Sequence, residues 1–176
     1  MAEAVSRTRI SAGILLFRRS AAGIEVLLGH PGGPYFEDKD VGAWSIPKGQ
    51  AERGEELLAV AKREFGEETG HVVGSNARLI ELGSIRQRGG KTVHAWALEG
   101  DLDPDEAWSN TFQMEWPPRS GIFIEVPELD QVAWFTPEQA AVAMNPAQLS
   151  LIETLLQRLD EAPIGYQGDA TRESSP

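Results

Sequence analysis

The stretch GQAERGEELLAVAKREFGEETG, residues 49–70, contains the pattern that decides the fold of this chain. Between Glu55 and Glu68 it holds strong helix formers, a single glycine and no proline, a composition that predicts a helix. Gly70 follows at the place where a glycine commonly ends a helix. The stretch therefore predicts one helix that is entered and left through glycine-containing turns.

Three carboxylates lie close together on this predicted helix. Glu64, Glu67 and Glu68 have the spacing i, i+3 and i+4, which places them within a sector of about 100°. Leu57 and Val60 point into the same sector, so the carboxylates border the buried face of the helix. Like charges at this spacing are destabilising, and a divalent cation such as Mg²⁺, which prefers carboxylate oxygen, removes the conflict. The pattern favours a cation site over the plain alternative of a solvated acidic face.

The rest of the chain alternates between predicted strands and helices. A helix that begins at Thr136-Pro137 and another that begins at Asn145-Pro146 are indicated by capping residues followed by proline. Residues 99–121 are acidic and contain Trp116-Pro-Pro118, and we interpret them as an irregular excursion. The strands are predicted from apolar runs and from alternation, at Ile10–Phe17, Ile24–Leu28, Arg78–Arg86, Thr92–Leu98 and Val132–Phe135.

One pattern within residues 49–70 resembles the signature of the Nudix hydrolases. This pattern is Gly49-x5-Glu55-x7-Arg63-Glu64-Phe65-x-Glu67-Glu68-x-Gly70. The last signature position differs, because an aliphatic residue is usual there and this chain has His71. That departure lies beyond the helix end and is expected to affect packing more than metal binding.

The resemblance implies an α/β (α+β) fold, the Nudix-type α/β/α sandwich in which a mixed β-sheet is flanked by helices. It would form a single Nudix hydrolase domain over residues 9–161. Residues 1–8 are expected to be a flexible N-terminus, and residues 162–176 a disordered tail, because both are small and polar in composition.

The resemblance also implies roles for the signature residues. Glu64, Glu67 and Glu68 would be metal ligands and catalytic residues, with one of them acting as or positioning the base, and the Gly49 carbonyl would join them. The metal would be Mg²⁺, for which Mn²⁺ can substitute. Structural support of the loop and helix would come from a pair formed by Glu55 and Arg63.

Basic residues outside the signature are candidates for substrate binding. Lys48 lies in Trp44-Ser-Ile-Pro-Lys-Gly49, which resembles the entry to the signature in the branch that hydrolyses diadenosine tetraphosphate and related polyphosphates. The other candidates are Arg86, Arg88, Lys91 and His94. Each candidate also has a plainer interpretation: Lys48 as a solvated loop lysine, the two arginines and Lys91 as a charged hairpin tip, and His94 as a structural histidine.

One further glutamate outside the signature is expected to assist catalysis. Glu128 is the first candidate, because it lies a few residues before Trp134-Phe135, and Glu115 and Glu125 are its rivals. Trp44 and Trp134 are interpreted as core residues. The sequence leaves the choice of a base-stacking pair open among Tyr35, Phe36, Trp96, Trp108, Trp116 and Phe123.

Composition and charge exclude several classes of protein. The chain has 176 residues, a net charge of −11 and no cysteine. The negative charge argues against nonspecific binding to nucleic acid or to anionic membranes, and the lack of cysteine excludes disulfides, a thiolate nucleophile and Cys-ligated metal centres. The sequence has neither a long apolar run nor a signal-peptide pattern, so we expect a cytoplasmic protein. We expect it to be a monomer or a homodimer.

The acidic side chains are concentrated in two stretches of the chain, so the net charge does not exclude an anionic ligand. Residues 49–70 hold six acidic and three basic side chains, and residues 99–130 hold nine acidic side chains and Arg119, while the remainder is balanced. With a cation bound, the acidic helix would attract phosphate. We therefore expect metal-dependent hydrolysis of a nucleoside polyphosphate, most simply a dinucleoside polyphosphate such as diadenosine tetraphosphate. The alternatives are a nucleoside triphosphate pyrophosphohydrolase that sanitises the nucleotide pool and a non-catalytic nucleotide-sensing domain.

Overall fold

Strand β1 (Ile10–Ser20) lies in the middle of a six-stranded mixed sheet. Residues 11–17 of this strand are all buried, because helices cover both faces of the sheet. A strand that is buried on both faces needs apolar side chains at consecutive positions, which explains the unbroken apolar run in the sequence. In the computed structural model the described residues are 9–161, so the predicted flexible N-terminus and disordered tail lie outside them.

The order of the main strands across the sheet is β4-β5-β1-β2-β8, and β3 pairs with the first residues of β1. The β1–β5 pair is parallel and the other pairs are antiparallel. The bounds of the remaining strands are β2 Gly23–Pro31, β3 Lys48–Gln50, β4 Leu79–Gln87, β5 Lys91–Glu99, β6 Thr111–Glu115, β7 Phe123–Pro127 and β8 Leu129–Phe135.

Three α-helices cover the two faces. The helix α1 (Leu57–Thr69) packs on one face, and α2 (Pro137–Ala143) and α3 (Leu149–Glu161) pack on the other. This arrangement confirms the predicted α/β/α sandwich with a mixed sheet. A bilayer-spanning helix is not found within residues 9–161.

The helix α1 begins two residues later than predicted. Glu56 is its N-cap, and its carboxylate accepts hydrogen bonds from the backbone N–H groups of Leu58 at 3.1 Å and Ala59 at 2.7 Å. Gly70 ends the helix in the left-handed conformation with φ of 75°, as predicted. The face that α1 buries includes Glu68, so the acidic edge of the helix is next to the sheet.

The excursion is less irregular than the sequence indicates. The prediction for residues 99–121 was wrong in part, because β6 lies within it and pairs with β7 as a separate two-stranded antiparallel sheet. The prediction that Trp134 is a core residue was also wrong in part. Its ring is partly buried, its Nε1–H donates to the Leu102 carbonyl at 3.0 Å, and the Arg18 guanidinium stacks on it at 4.2 Å.

Candidate active site

A pocket of about 670 Å³ opens beside the C-terminal half of α1. Its walls include residues from α1, from β3, from the start of β5 and from the start of β8, together with the loop residues Asn110 and Glu128. Among the side chains that line it are the carboxylates of Glu52, Glu55, Glu64, Glu67, Glu68 and Glu128, and the cationic groups of Lys48, Arg63 and Lys91.

Glu68 is the most buried carboxylate of this pocket, with 7% of the residue exposed. Its Oε2 atom accepts a hydrogen bond from the Lys48 backbone N–H at 3.0 Å, which joins α1 to β3. Burial, with a smaller contribution from the nearby charges of Glu128 and Glu64, raises the pKa of Glu68 to about 8 against the lowering effect of Lys48. A cation next to this group would favour its ionised form.

Arg63 holds the other two helix carboxylates. Its Nη1 atom lies 2.8 Å from Glu64 Oε1 and 3.4 Å from Glu67 Oε1, and its Nη2 atom lies 3.7 Å from Glu55 Oε2. Burial raises the pKa of Glu64, and Arg63 opposes that shift. The pairing between Glu55 and Arg63 expected from the sequence is thus present, but Arg63 also neutralises the carboxylates that would hold a metal.

Gly49 leaves room for the carboxylate of Glu64. A Cβ atom on Gly49 would overlap the carboxylate of Glu64, so a larger residue would displace that side chain. The backbone of Gly49 pairs with Ala12 of β1, which keeps β3 in place. The glycine therefore lets the acidic helix approach the backbone of β3.

The oxygen-rich set of side chains fits a hard divalent cation in its chemistry. Within residues 9–161, however, no three acidic or histidine side chains converge as a metal-binding group. Arg63 instead holds Glu64 and Glu67, and the Lys48 N–H holds Glu68. Cation binding would have to draw Glu64 and Glu67 away from Arg63.

Of the predicted substrate-binding residues, Lys48 and Lys91 line the pocket. Burial, together with the charges of Lys48 and Arg9, lowers the pKa of Lys91 to about 8, so a phosphate would be a favourable partner. Three other candidates are not among the pocket-lining residues and remain predictions for parts of a substrate that extend beyond it. They are Arg86, Arg88 and His94.

Glu128 lies in the pocket and its two rivals do not. The Oε1 atom of Glu115 accepts a hydrogen bond from the Gly121 N–H at 2.7 Å, and that of Glu125 accepts one from the Thr111 hydroxyl at 2.9 Å. Both bonds tie these glutamates to the β6–β7 hairpin. Of the three candidates outside the signature, Glu128 is therefore the one whose position agrees with the expected catalytic role.

Asn110 also lines the pocket, and the sequence analysis missed it. Its backbone N–H donates to the Glu67 carbonyl at 2.8 Å, and its carbonyl accepts from the Glu128 N–H at 2.9 Å. Trp108, two residues earlier, lies over Gly70 at the end of α1. No spacing rule identifies an asparagine that is brought to the helix by a loop more than 40 residues later in the chain.

Residues 7–155 match the NUDIX domain family. The chain belongs to the Nudix family. Nudix hydrolases act on pyrophosphate bonds and generally use divalent metal ions. The family membership expected from the signature is confirmed.

Among curated relatives, this Nudix protein is 35% identical to the 8-oxo-(d)GTP phosphatase of Mycolicibacterium smegmatis over 88 residues, which are 48% of this chain and 25% of that protein. The chain spans about a quarter of the length of the curated relatives it matches.

Solved structures share the fold at lower identity. A binary complex of the Caenorhabditis elegans Ap4A hydrolase has a TM-score of 0.61 and 21% identity, covering 85% of this chain and 98% of that one. The NUDIX domain of Shewanella oneidensis NrtR, complexed with ADP ribose, has a TM-score of 0.59 and 17% identity, covering 85% of this chain and 87% of that one.

Proposed function

We propose that this Nudix protein hydrolyses a nucleoside polyphosphate with the help of Mg²⁺, for which Mn²⁺ can substitute. The favoured substrate is a dinucleoside polyphosphate such as diadenosine tetraphosphate. The observation that carries the proposal is the lining of the 670 Å³ pocket, where the carboxylates of Glu64, Glu67, Glu68 and Glu128 lie together with Lys48 and Lys91. Carboxylates suit a cation, and lysines suit the phosphates that the cation does not neutralise.

Glu64, Glu67, Glu68 and the Gly49 carbonyl would hold the cation. When bound, the cation would neutralise phosphate charge and lower the pKa of a coordinated water. Arg63 would then release Glu64, which lies 2.8 Å from it, and would keep its contact with Glu55. The guanidinium freed in this way lies at the pocket and can donate hydrogen bonds to a phosphate oxygen as its new partner.

Glu128, Lys48 and Lys91 would act on the water and the phosphates during the reaction. Glu128 would take a proton from the attacking water, whose oxygen forms a bond to one phosphorus. The bond from that phosphorus to the bridging oxygen breaks, and its electron pair leaves with the released phosphate group. Lys48 and Lys91 would bind phosphate oxygens and neutralise the charge that develops on the leaving group.

Two sequence similarities favour different substrates. The segment Trp44–Gly49 resembles the branch that hydrolyses dinucleoside polyphosphates, and the Caenorhabditis elegans structure with the same fold is an Ap4A hydrolase. The similarity to the 8-oxo-(d)GTP phosphatase favours the second candidate, a triphosphate pyrophosphohydrolase that sanitises the nucleotide pool. The complete set of helix carboxylates argues against the third, a nucleotide sensor without turnover.

A substrate panel tests the proposal. Diadenosine tetraphosphate, nucleoside triphosphates including 8-oxo-dGTP, nucleotide sugars and inositol pyrophosphates are incubated with the protein and Mg²⁺, and the products are separated by chromatography. We expect asymmetric cleavage of the dinucleotide, to a nucleoside monophosphate and a nucleoside triphosphate. Preferred release of pyrophosphate from triphosphates would support the second candidate, and tight binding without phosphate release would support the sensor.

Substitutions test the assigned carboxylates. Glu67→Gln and Glu68→Gln should each abolish turnover while the folded structure is retained, which circular dichroism and thermal unfolding check. Glu153→Gln is the matched control, because Glu153 is exposed on α3 and does not line the pocket. Full activity of either pocket variant at saturating Mg²⁺ would remove that glutamate from the assignment.

A further inference from the structure

Arg9 lies immediately before β1 and is an exposed cation that the proposed reaction does not use. Its carbonyl accepts a hydrogen bond from the Thr92 N–H at 2.9 Å, so the pairing of β1 with β5 continues to this residue. The Nη2 atom of Arg9 lies 3.3 Å from the position that a Cβ atom on Gly89 would occupy, at the turn between β4 and β5. The guanidinium therefore lies near the start of β5, where Lys91 lines the active-site pocket.

The strand register places Arg9 on the same face of the sheet as Lys48 and Lys91. Side chains of directly paired residues share a face, and so do side chains two residues apart along one strand. Ser11 pairs with the residue two positions after Lys91, and Gly13 pairs with Lys48. Because Arg9, Ser11 and Gly13 alternate along one segment, three cations from three segments lie on one face at one end of the sheet. We call them the cationic row.

The cationic row has no ion pair of its own among residues 9–161. Its members act on one another instead. Burial, together with the charges of Lys48 and Arg9, lowers the pKa of Lys91 to about 8 against the raising effect of Glu68. Like charges that are brought together destabilise one another, and an anion bound between them relieves the repulsion. The row therefore suits an anionic ligand that spans more than one cation.

Arg9 also lines a second cavity, of about 1060 Å³, which adjoins the active-site pocket. The residues that line both are Gln50, Glu52 and Glu55. The carboxylate of Glu55 is already engaged, because its Oε2 atom lies 3.7 Å from Arg63 and accepts a hydrogen bond from the Glu52 N–H at 2.7 Å. Ligand cavities commonly have volumes of about 300–1,000 Å³. A ligand that fills the active-site pocket can therefore extend past Arg9 into this second cavity.

We infer that Arg9 is a substrate-binding residue that selects for the length of the phosphate chain, by binding a phosphate beyond those bound by Lys48 and Lys91. The inference rests on the proposed hydrolysis of a nucleoside polyphosphate and adds a residue from outside the signature. Substrates with two phosphates are expected to occupy the lysines alone, whereas longer chains reach Arg9. A guanidinium donates paired, charge-assisted hydrogen bonds to phosphate oxygens, so its loss should weaken the binding of long chains by about tenfold.

The first experiment measures kcat and KM for diadenosine polyphosphates that differ only in having two, four or five phosphates, at saturating Mg²⁺. Arg9→Met removes the charge and keeps an unbranched side chain, and Arg9→Lys keeps the charge. Arg78→Met is the matched control, because Arg78 is exposed and lines neither cavity. Thermal unfolding of each variant is recorded in parallel.

A second experiment measures binding without turnover. Methylene-bridged analogues of pyrophosphate and tripolyphosphate, whose P–C bonds resist hydrolysis, are titrated into each protein by isothermal calorimetry in the presence of Mg²⁺. The two analogues compare a short and a longer phosphate chain with no nucleoside attached.

We expect Arg9→Met to raise KM for the substrates with four and five phosphates by about tenfold. The KM for diadenosine diphosphate should stay within about twofold of wild type, since that chain does not reach Arg9. The tripolyphosphate analogue should lose a similar factor of affinity and the pyrophosphate analogue should not. Arg9→Lys should recover part of the loss, and Arg78→Met should behave as wild type.

Two results would overturn the inference. The first is an unchanged KM at every chain length in Arg9→Met, with unchanged affinity for the tripolyphosphate analogue. The second is an equal loss for short and long chains with a lower unfolding temperature and no recovery in Arg9→Lys, which would make Arg9 structural.

Failure of the proposed function gives a different result. If wild type cleaves none of the diadenosine polyphosphates, the favoured substrate is refuted, and the two analogues still decide on Arg9. A selective loss of tripolyphosphate affinity in Arg9→Met would then support the inference, and an unchanged affinity would overturn it.

Discussion

Replacement of Gly70 by alanine tests how the loop at residues 108–110 is docked on the catalytic helix. Gly70 ends α1 with φ of 75°, a conformation that L side chains rarely adopt. A Cβ atom at this position would overlap the Nε1 and Cδ1 atoms of the Trp108 indole. Two separate costs therefore meet at one residue, the left-handed backbone and the overlap with Trp108.

The magnitude follows from adding the two costs. An alanine in left-handed conformation loses about 1–2 kcal/mol. The overlap adds only the lower end of the overpacking range, about 1 kcal/mol, because Trp108 is 63% exposed and its indole can shift, so Gly70→Ala should lower the free energy of unfolding by about 2–3 kcal/mol. Gly83→Ala is the matched control, because Gly83 has φ of 83° and open space around a Cβ atom. It should lose only the backbone part, about 1–2 kcal/mol.

Urea denaturation of the metal-free proteins measures both losses. The double variant Gly70→Ala/Trp108→Ala should recover part of the difference between the two single glycine variants, since the overlap is gone. Equal losses for Gly70→Ala and Gly83→Ala, or no recovery in the double variant, would refute the packing argument.

The same substitution should also change the active site. The backbone N–H of Trp108 donates to the Thr69 carbonyl at 3.2 Å. Two residues later, the backbone of Asn110 forms its hydrogen bonds with Glu67 and Glu128. Displacement of Trp108 should therefore disturb the position of Glu128, and we expect a lower kcat in Gly70→Ala than in the control.

Three further predictions concern charge, pH and metal. Lys91→Met should raise KM for a polyphosphate by about tenfold through the loss of one phosphate contact, and Arg78→Met should not, because Arg78 is exposed and lies outside the pocket; steady-state kinetics of both variants checks this. The ring nitrogens of buried His30 lie 2.7 Å from Asp130 Oδ1 and from the Lys39 carbonyl; burial lowers its pKa, but these two acceptors outweigh burial and raise it. This stabilisation should be complete below the unfolded-state pKa of about 6.5 and be lost as pH rises through the folded-state pKa. The unfolding temperature measured from pH 5 to 9 should show this decline, and Asp130→Asn should reduce it. Removal of divalent cations with a chelator should stop turnover, and added Mg²⁺ or Mn²⁺ should restore it; full turnover in the chelated protein would contradict the metal requirement.

Much of the fold follows from local patterns in the sequence. The helix from Leu57 to Thr69 was predictable because its composition, its apolar spacing and Gly70 all act within a few residues. The strands β1 and β2 were predictable because an apolar run and a turn suffice to indicate a hairpin. The Nudix signature is local in the same way, so the family could be proposed from 22 residues and is confirmed by the match over residues 7–155.

The β6–β7 hairpin was not predicted, although part of its signal is local. Thr111–Glu115 alternates polar and apolar residues, but each strand has only five residues, Trp116-Pro117-Pro118 follows β6 directly, and Phe123-Ile124 breaks the alternation in β7. What stabilises the pairing includes contacts between distant residues, such as the packing of Val126 and Met114 beside Gly33. Contacts of this kind depend on where the rest of the chain has folded, and composition does not report them.

The sequence by itself determined which residues carry charge on the signature helix, because the helical repeat places Glu64, Glu67 and Glu68 on one edge. Tertiary structure alone decided which distant groups meet that edge. Glu128, Lys91 and Asn110 come to the pocket through a loop, a strand start and a docked turn that are remote from the helix in sequence. The physical reason is that helix periodicity is a short-range property of the backbone, whereas the composition of a pocket depends on long-range packing and on hydrogen bonds that form only in the folded chain.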